Sequence, residues 1–349
     1  MNPAEVLTIC QPDDWHLHVR DGDILKTVIA HTARQFGRAI IMPNLKPPIV
    51  SSDAAQAYYD RIIASLPEGS DFTPLMTLYL TDQTSSDEIQ IAHESGIVKA
   101  VKLYPAGATT HSDAGVTNII KLHPTLKTMA ELGMPLLIHG EVTDPDIDVF
   151  DREKVFINRH LKPLMEAIPD LRIVLEHITT SESVELILSG PENLAATITP
   201  QHLLMNRNAM FEGGIRPHRY CLPVLKREQH RQSLIGAIQS GHRRFFLGTD
   251  SAPHNQSSKE SSCGCAGIYS AHAAMELYAQ AFENAGVLDK LESFASFNGA
   301  DFYGLARNTV KIQLHKLHWE VPAHYRIQEG ENIIPLYAGE QLHWQMLPA

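Results

Sequence analysis

Cysteine is scarce in this chain. Cys10, Cys221, Cys263 and Cys265 are four in 349 residues, too few and too scattered for a disulfide framework. No apolar run is long enough to cross a bilayer. Basic residues are outnumbered by acidic ones, 29 to 40, and the net charge of -11 argues against nucleic acid or an anionic membrane as partner. A small anionic substrate stays open, because a local cationic pocket overrides the global field. The start, Met1-Asn2-Pro3-Ala4-Glu5, lacks the basic residues and apolar stretch of a secretory signal, so the cytoplasm is the expected location. No internal repeat, linker or low-complexity segment is visible, and residues 1–349 are expected to form one domain.

Histidine, by contrast, is plentiful at nineteen. Short runs rich in β-branched residues alternate with longer helical patterns. Strands are expected over 15–19, 39–42, 75–80, 98–103, 136–139, 173–177, 195–199 and 245–250. Helices are expected over 24–36, 53–66, 87–94, 117–132 and 267–285. Such alternation implies right-handed βαβ crossovers and a parallel sheet. Eight units in roughly 250 residues is the size of a closed (β/α)8 TIM barrel. The competing open, doubly wound sheet lacks its main signature, since no Gly-x-Gly-x-x-Gly turn follows the first strand. Residues 251–265 read as a polar loop. Residues 308–349 read as mixed, turn-rich chain packing on the barrel exterior.

Functional groups in such a barrel gather at the C-terminal strand ends. His16-Leu17-His18 ends the first strand, and with period-two alternation the two imidazoles share a face while Trp15, Leu17 and Val19 face apolar packing. Paired neutral imidazoles suit a divalent metal. Lys102, His139, His177 and Asp250 fall at equivalent ends of later strands. A lysine among metal ligands is odd, because an ammonium has no lone pair. Burial would favour its neutral amine, which can take up carbon dioxide and become an anionic carbamate. Read alone, Lys102 is better explained by a side chain reaching solvent, and only its place among four histidines and Asp250 reverses this; Asp250 alone could cap the next segment. Beside a metal, Asp250 could also take a proton from bound water. Arg20 offers a donor fork for a carboxylate, although a salt bridge to Asp13, Asp14 or Asp21 would serve it equally. Asn44 and His254 lie where they could join Arg20. Residues 105–115, with Thr109 and Thr110, have the composition of a mobile lid or of an ordinary surface loop. Glycines around Cys263-Gly264-Cys265 would let backbone approach a ligand near Ala266.

The segments Asp13 to Gly22, Met42-Pro43-Asn44, Ala100 to Ala106, Leu137 to Val142, Glu176 to Thr180, Ala195 to His202, Leu247 to His254 and Lys259 to Gly267 together resemble the dihydroorotases of the short bacterial type, within the amidohydrolase superfamily. The resemblance implies two zinc ions per subunit. His16, His18 and Asp250 would hold one and His139 and His177 the other, with Lys102 as N6-carboxylysine and a hydroxide bridging them. It implies that Arg20, Asn44 and His254 hold the substrate carboxylate, that Leu222 and Ala266 hold the ring through their backbone, and that Thr109 and Thr110 close over it. The implied reaction is reversible cyclisation of N-carbamoyl-L-aspartate to L-dihydroorotate, with Asp250 as the catalytic acid and base, in a cytoplasmic homodimer. Two rivals share the barrel. A dihydropyrimidinase or hydantoinase would act on a neutral ring, leaving Arg20 and Asn44 little purpose. A non-catalytic scaffold would be expected to lack some ligands, and all six are present.

Overall fold

The computed structural model describes residues 5–347. A first strand, β1 (Val6–Cys10), stands outside the barrel. The barrel strands follow in chain order: β2 (Asp13–Leu17), β3 (Arg38–Ile41), β4 (Thr73–Tyr79), β5 (Val98–Leu103), β6 (Leu136–Ile138), β7 (Ile173–Leu175), β8 (Leu194–Ile198) and β9 (Phe245–Leu247). Each pairs in parallel with the next. The seam between β2 and β9 closes through a parallel bridge from Leu17 to Ser251, with Asp250 N–H donating to the His16 carbonyl at 2.9 Å and His18 N–H to the Ser251 carbonyl at 3.1 Å. The fold is a closed (β/α)8 barrel.

Local chemistry starts the helices where the strands end. Asp21, Ser51, Ser85, Thr180 and Thr199 each accept a hydrogen bond from a first-turn backbone N–H, satisfying donors that the helix leaves unpaired. The helix Gly22–Gln35 buries Leu25, Val28, Ile29 and Thr32, a one-faced stripe at helical spacing that packs on the barrel.

The apolar interior divides in two. Between strands and helices lies a large cluster containing Leu17, Val19, Leu103, Ile138 and Leu247. Inside the barrel, Trp15, Ile40, Leu75, Ala100, Leu137, Val174, Ala195 and Phe246 form a plug. Tyr303 stacks on the Trp15 ring at 4.5 Å and seals the plug's lower side. A Cβ at Gly299 would lie 2.0 Å from the Trp15 indole nitrogen, so this close approach requires glycine.

Four expectations are corrected. Trp15 does not point away with Leu17 and Val19; it enters the interior plug, because the β2–β3 register shifts between Asp14 and Leu17 and resets the alternation. The helix expected over 117–132 begins at His123. Before it, Asp82 holds the N–H and hydroxyl of Thr117, and Asn118 caps a separate 3-10 turn, Ile119–Leu122. The helix expected over 267–285 is continuous only from Ala274 to Asn284. The Ser251 hydroxyl accepts from the N–H groups of Ser270 and Ala271, tying that stretch to the barrel seam instead. The loop 251–265 contains one helical turn, Gln256–Lys259. In the C-terminal region, β10 (Lys311–His315) pairs antiparallel with β1, which the sequence reading had missed, and Leu314 pairs with Met346.

Candidate metal centre and substrate pocket

Residues one step beyond the plug change character. Ala100 is followed two places on by Lys102, Leu137 by His139, and Val174 by Glu176, and all three ionisable groups are buried. Four imidazoles form an arc over the plug, with ring centres 5.2 Å apart for His18 and His16, 5.0 Å for His16 and His177, and 4.8 Å for His177 and His139. His16 and His18 approach within 3.3 Å through their Nε2 atoms, and each lies 3.2 Å from Asp250 Oδ1. Two triads have ligand atoms within 4.8 Å of one another: His16, His18 and Asp250, and His16, Glu176 and His177.

Glu176 is the member the sequence reading did not assign, although it lies within the quoted strand-end motif. Its Oε2 pairs with Lys102 Nζ, and its Oε1 lies 3.1 Å from His16 Nδ1. Its interior position follows from period-two alternation with Val174, so parity alone could have found it. Glu141, also unassigned, accepts from His139 Nε2 at 2.9 Å, which leaves His139 Nδ1 as the free ligand atom. Asp14 accepts from the N–H and hydroxyl of Thr249 and from His16 N–H, clasping the two strand ends that carry His16 and Asp250.

The electrostatics favour a cation at this point. Burial would lower His16, but the Glu176 and Asp250 carboxylates raise it to about 9. Burial would raise Asp250, yet the His16 charge and the imidazole hydrogen bonds hold it well below the usual carboxylate range. Burial, aided by Arg20, pushes His18 down to about 3, and burial pushes His177 well down, so both imidazoles are neutral at pH 7. His177 Nδ1 is buried without a hydrogen-bond partner among the described residues. Neutral imidazoles beside ionised carboxylates fit a divalent metal ion. Burial likewise lowers Lys102, although Glu176 opposes this.

A narrow cavity of about 20 Å³ opens beside the arc, and Arg20, Asn44, Thr109, Thr110, Leu222 and Ala266 contribute to its lining. Asn44 Oδ1 accepts from His18 Nδ1 at 2.9 Å and its Nδ2 donates to the Thr110 carbonyl at 3.1 Å, which brings residues 105–115 down on the mouth. The Thr110 hydroxyl donates to the Ala266 carbonyl at 3.3 Å. Arg20 makes no ion pair with its aspartate neighbours; it donates to the Pro253 carbonyl at 3.1 Å and lies 3.0 Å from His254 Nε2. His254 does not line the narrow cavity. Together with Arg20 it lines a neighbouring cavity of about 520 Å³. Among the described non-glycine residues only Arg20, His111, His177, Asp250 and Tyr337 have positive φ, and the first four surround the mouth. Such strain persists where the surrounding contacts over-determine it.

A closed barrel with histidines, a lysine and an aspartate converging at its C-terminal mouth is the architecture of a metal-dependent amidohydrolase. The family model described as "Amidohydrolase family" matches residues 12–316. Over 345 residues the chain is 61% identical to the dihydroorotase of Nitrosomonas europaea, covering 98% of this chain and 99% of that protein. The crystal structure of dihydroorotase from Campylobacter jejuni is similar at a TM-score of 0.90 and 34% identity, covering 100% of this chain and 99% of that one. That of Saccharomyces cerevisiae dihydroorotase in complex with 5-fluoroorotic acid is similar at 0.90 and 32%, covering 99% of each. The chain belongs to the dihydroorotases of the amidohydrolase family.

Proposed function

We infer that this protein catalyses the reversible cyclisation of N-carbamoyl-L-aspartate to L-dihydroorotate, a step of de novo pyrimidine synthesis. The observation that carries the reading is the juxtaposition of the imidazole arc with the Arg20–Asn44 pair across one narrow cavity. A substrate ring bearing a carboxylate needs both.

Of two zinc ions at the mouth, His16, His18 and Asp250 would hold one and His139 and His177 the other, with carboxylated Lys102 as a further ligand. Such ions would supply a hydroxide nucleophile at neutral pH and a Lewis acid for the ring carbonyl. Carboxylation of Lys102 requires its neutral amine, and it would exchange the present pairing with Glu176 for an anionic ligand; Glu176 keeps His16 Nδ1 as its neighbour. Asp250 is the group that accepts a proton in ring opening and returns it to the departing amide nitrogen. Arg20, Asn44 and His254 fix the substrate carboxylate, His254 Nε2 lying 3.0 Å from Arg20 Nη2. The backbone at Leu222 and Ala266 addresses the ring, and Thr109 and Thr110 cover it.

Ring closure consumes one proton, so the ratio of dihydroorotate to carbamoyl aspartate at equilibrium falls tenfold per unit rise in pH. We also read 1–349 as one domain, working as a cytoplasmic homodimer on a small anionic substrate without nucleic acid or membrane. The test is turnover of L-dihydroorotate beside dihydrouracil on zinc-loaded protein. Turnover of dihydroorotate alone supports the reading. Preference for dihydrouracil would overturn the role of Arg20, and turnover of neither would overturn the enzyme.

A further inference from the structure

Lys259 has no part in the reaction described above, yet it is one of the most enclosed cations in the molecule, 3% exposed. Among the described residues it has no carboxylate partner. Its Nζ instead donates to three backbone carbonyls: Tyr220 at 2.9 Å, Cys265 at 2.7 Å and Gly267 at 2.7 Å. An ammonium has three hydrogens, so all are used. Burying a charge with only carbonyl dipoles for company is costly, and such an arrangement persists where the acceptors are held for another purpose.

Those acceptors bracket the pocket. Cys265 and Gly267 flank Ala266, and the Ala266 carbonyl receives the Thr110 hydroxyl and lies 3.0 Å from His254 Nε2. Tyr220 precedes Leu222 by two residues, and its carbonyl also accepts from Gly267 N–H at 3.0 Å. Gly267 itself has φ 150°, and a Cβ there would lie 2.6 Å from the Ala252 carbonyl. The backbone is therefore threaded through a space that offers no slack on the Ala252 side. Lys259 supplies the tie on the other side.

We propose that Lys259 is a positioning residue for substrate recognition: its buried ammonium gathers three carbonyls and so fixes the Ala266 and Leu222 backbone against the substrate ring. The proposal rests on the reading of that cavity as the dihydroorotate pocket. It places Lys259 in binding and outside the chemical step, since no metal-ligand candidate touches it. The charged and titratable groups facing it are Cys221 and Tyr220 from the chain before Leu222, Cys265 from its own loop, and Arg20 with His254 from the mouth. Burial lowers Lys259 to about 8. Above that pH the neutral amine has two hydrogens for three carbonyls, and the gathering loosens.

The experiment compares wild type, Lys259→Met and Lys259→Arg, each zinc-loaded, for KM and kcat on dihydroorotate between pH 6.5 and 9.5, with metal content and thermal unfolding measured alongside. Lys259→Met is expected to raise KM about tenfold with kcat within about threefold and metal content unchanged, the loss of a charge-assisted contact. Wild-type KM is expected to rise above pH 8, and Lys259→Arg, which stays charged, is expected to lack that inflection. A Lys259→Met enzyme with wild-type KM overturns the proposal, as does a fall in kcat and metal content at constant KM. Should Lys259→Met not fold, an identical inflection in wild type and Lys259→Arg overturns it. Wild-type protein inactive on dihydroorotate would instead defeat the assigned function.

Discussion

The two ends of the barrel interior are built from the same strands and share almost no chemistry. At the floor, Ala100, Leu137, Val174 and Phe246 are closed off by Trp15 and Tyr303. One pleat higher, Lys102, His139 and Glu176 occupy the same column and are just as buried. The floor is held by apolar contact, and among its described residues the Tyr303 hydroxyl is buried without a hydrogen-bond partner. The mouth is held by polar atoms that restrain one another, including Asp14 on Thr249 and Glu141 on His139. A barrel can thus keep its stability and its chemistry in separate layers, because a two-residue step along a strand changes the layer without changing the face.

Three substitutions would break or sharpen that contrast. Asp250→Ala, at the mouth, is expected to lower turnover by about 10²–10⁴ while leaving part of the metal bound. Near-normal kcat in that variant would remove Asp250 from the chemistry. Phe246→Ala, at the floor, is expected to cost about 3–5 kcal/mol in denaturant unfolding. Its metal content and kcat/KM should stay near wild type, and a collapse of metal binding would show that the layers are not separable.

The effect that is smallest at neutral pH, and grows only as pH falls, concerns His272, outside both layers. Burial, with His31 nearby, lowers it to about 3, and its Nε2 lies 3.0 Å from the Leu336 carbonyl. The unfolded chain takes up a proton near pH 6.5 and the folded one does not, so stability is lost as pH falls from 6.5 towards 3. His272→Gln keeps a donor for Leu336 and removes that proton. The pH dependence of its unfolding free energy should be shallower by about 1.4 kcal/mol per pH unit in the middle of that window. Equal slopes in the two proteins would place the acid sensitivity elsewhere.

Much of this was legible before any fold was known. Alternation of strand and helix patterns implies the barrel, and the strand-end positions of His16, His18, Lys102, His139, His177 and Asp250 place them at one mouth. Glu176 was equally legible from its parity with Val174. Trp15 was not, because a register shift leaves no local mark in Asp-Asp-Trp-His. Nor was the break before Ala274, which depends on a serine nineteen and twenty residues back. Nor was the 3.0 Å approach of His254 to Arg20, a matter of how two loops fold over one another.

The sequence by itself determined the class of fold and the column of ionisable groups, because periodicity and strand-end position are properties of neighbouring residues; the dihydroorotase family it showed through the resemblance of whole motifs. Tertiary structure alone decided which groups restrain the imidazoles and the Asp250 strand end, and which carbonyls Lys259 gathers. Glu141 on His139 is a short-range contact that only orientation reveals. Asp14 on Thr249 spans 235 residues, and Lys259 on Tyr220 spans 39. Hydrogen bonds of that range form between surfaces that do not exist until the chain has closed on itself.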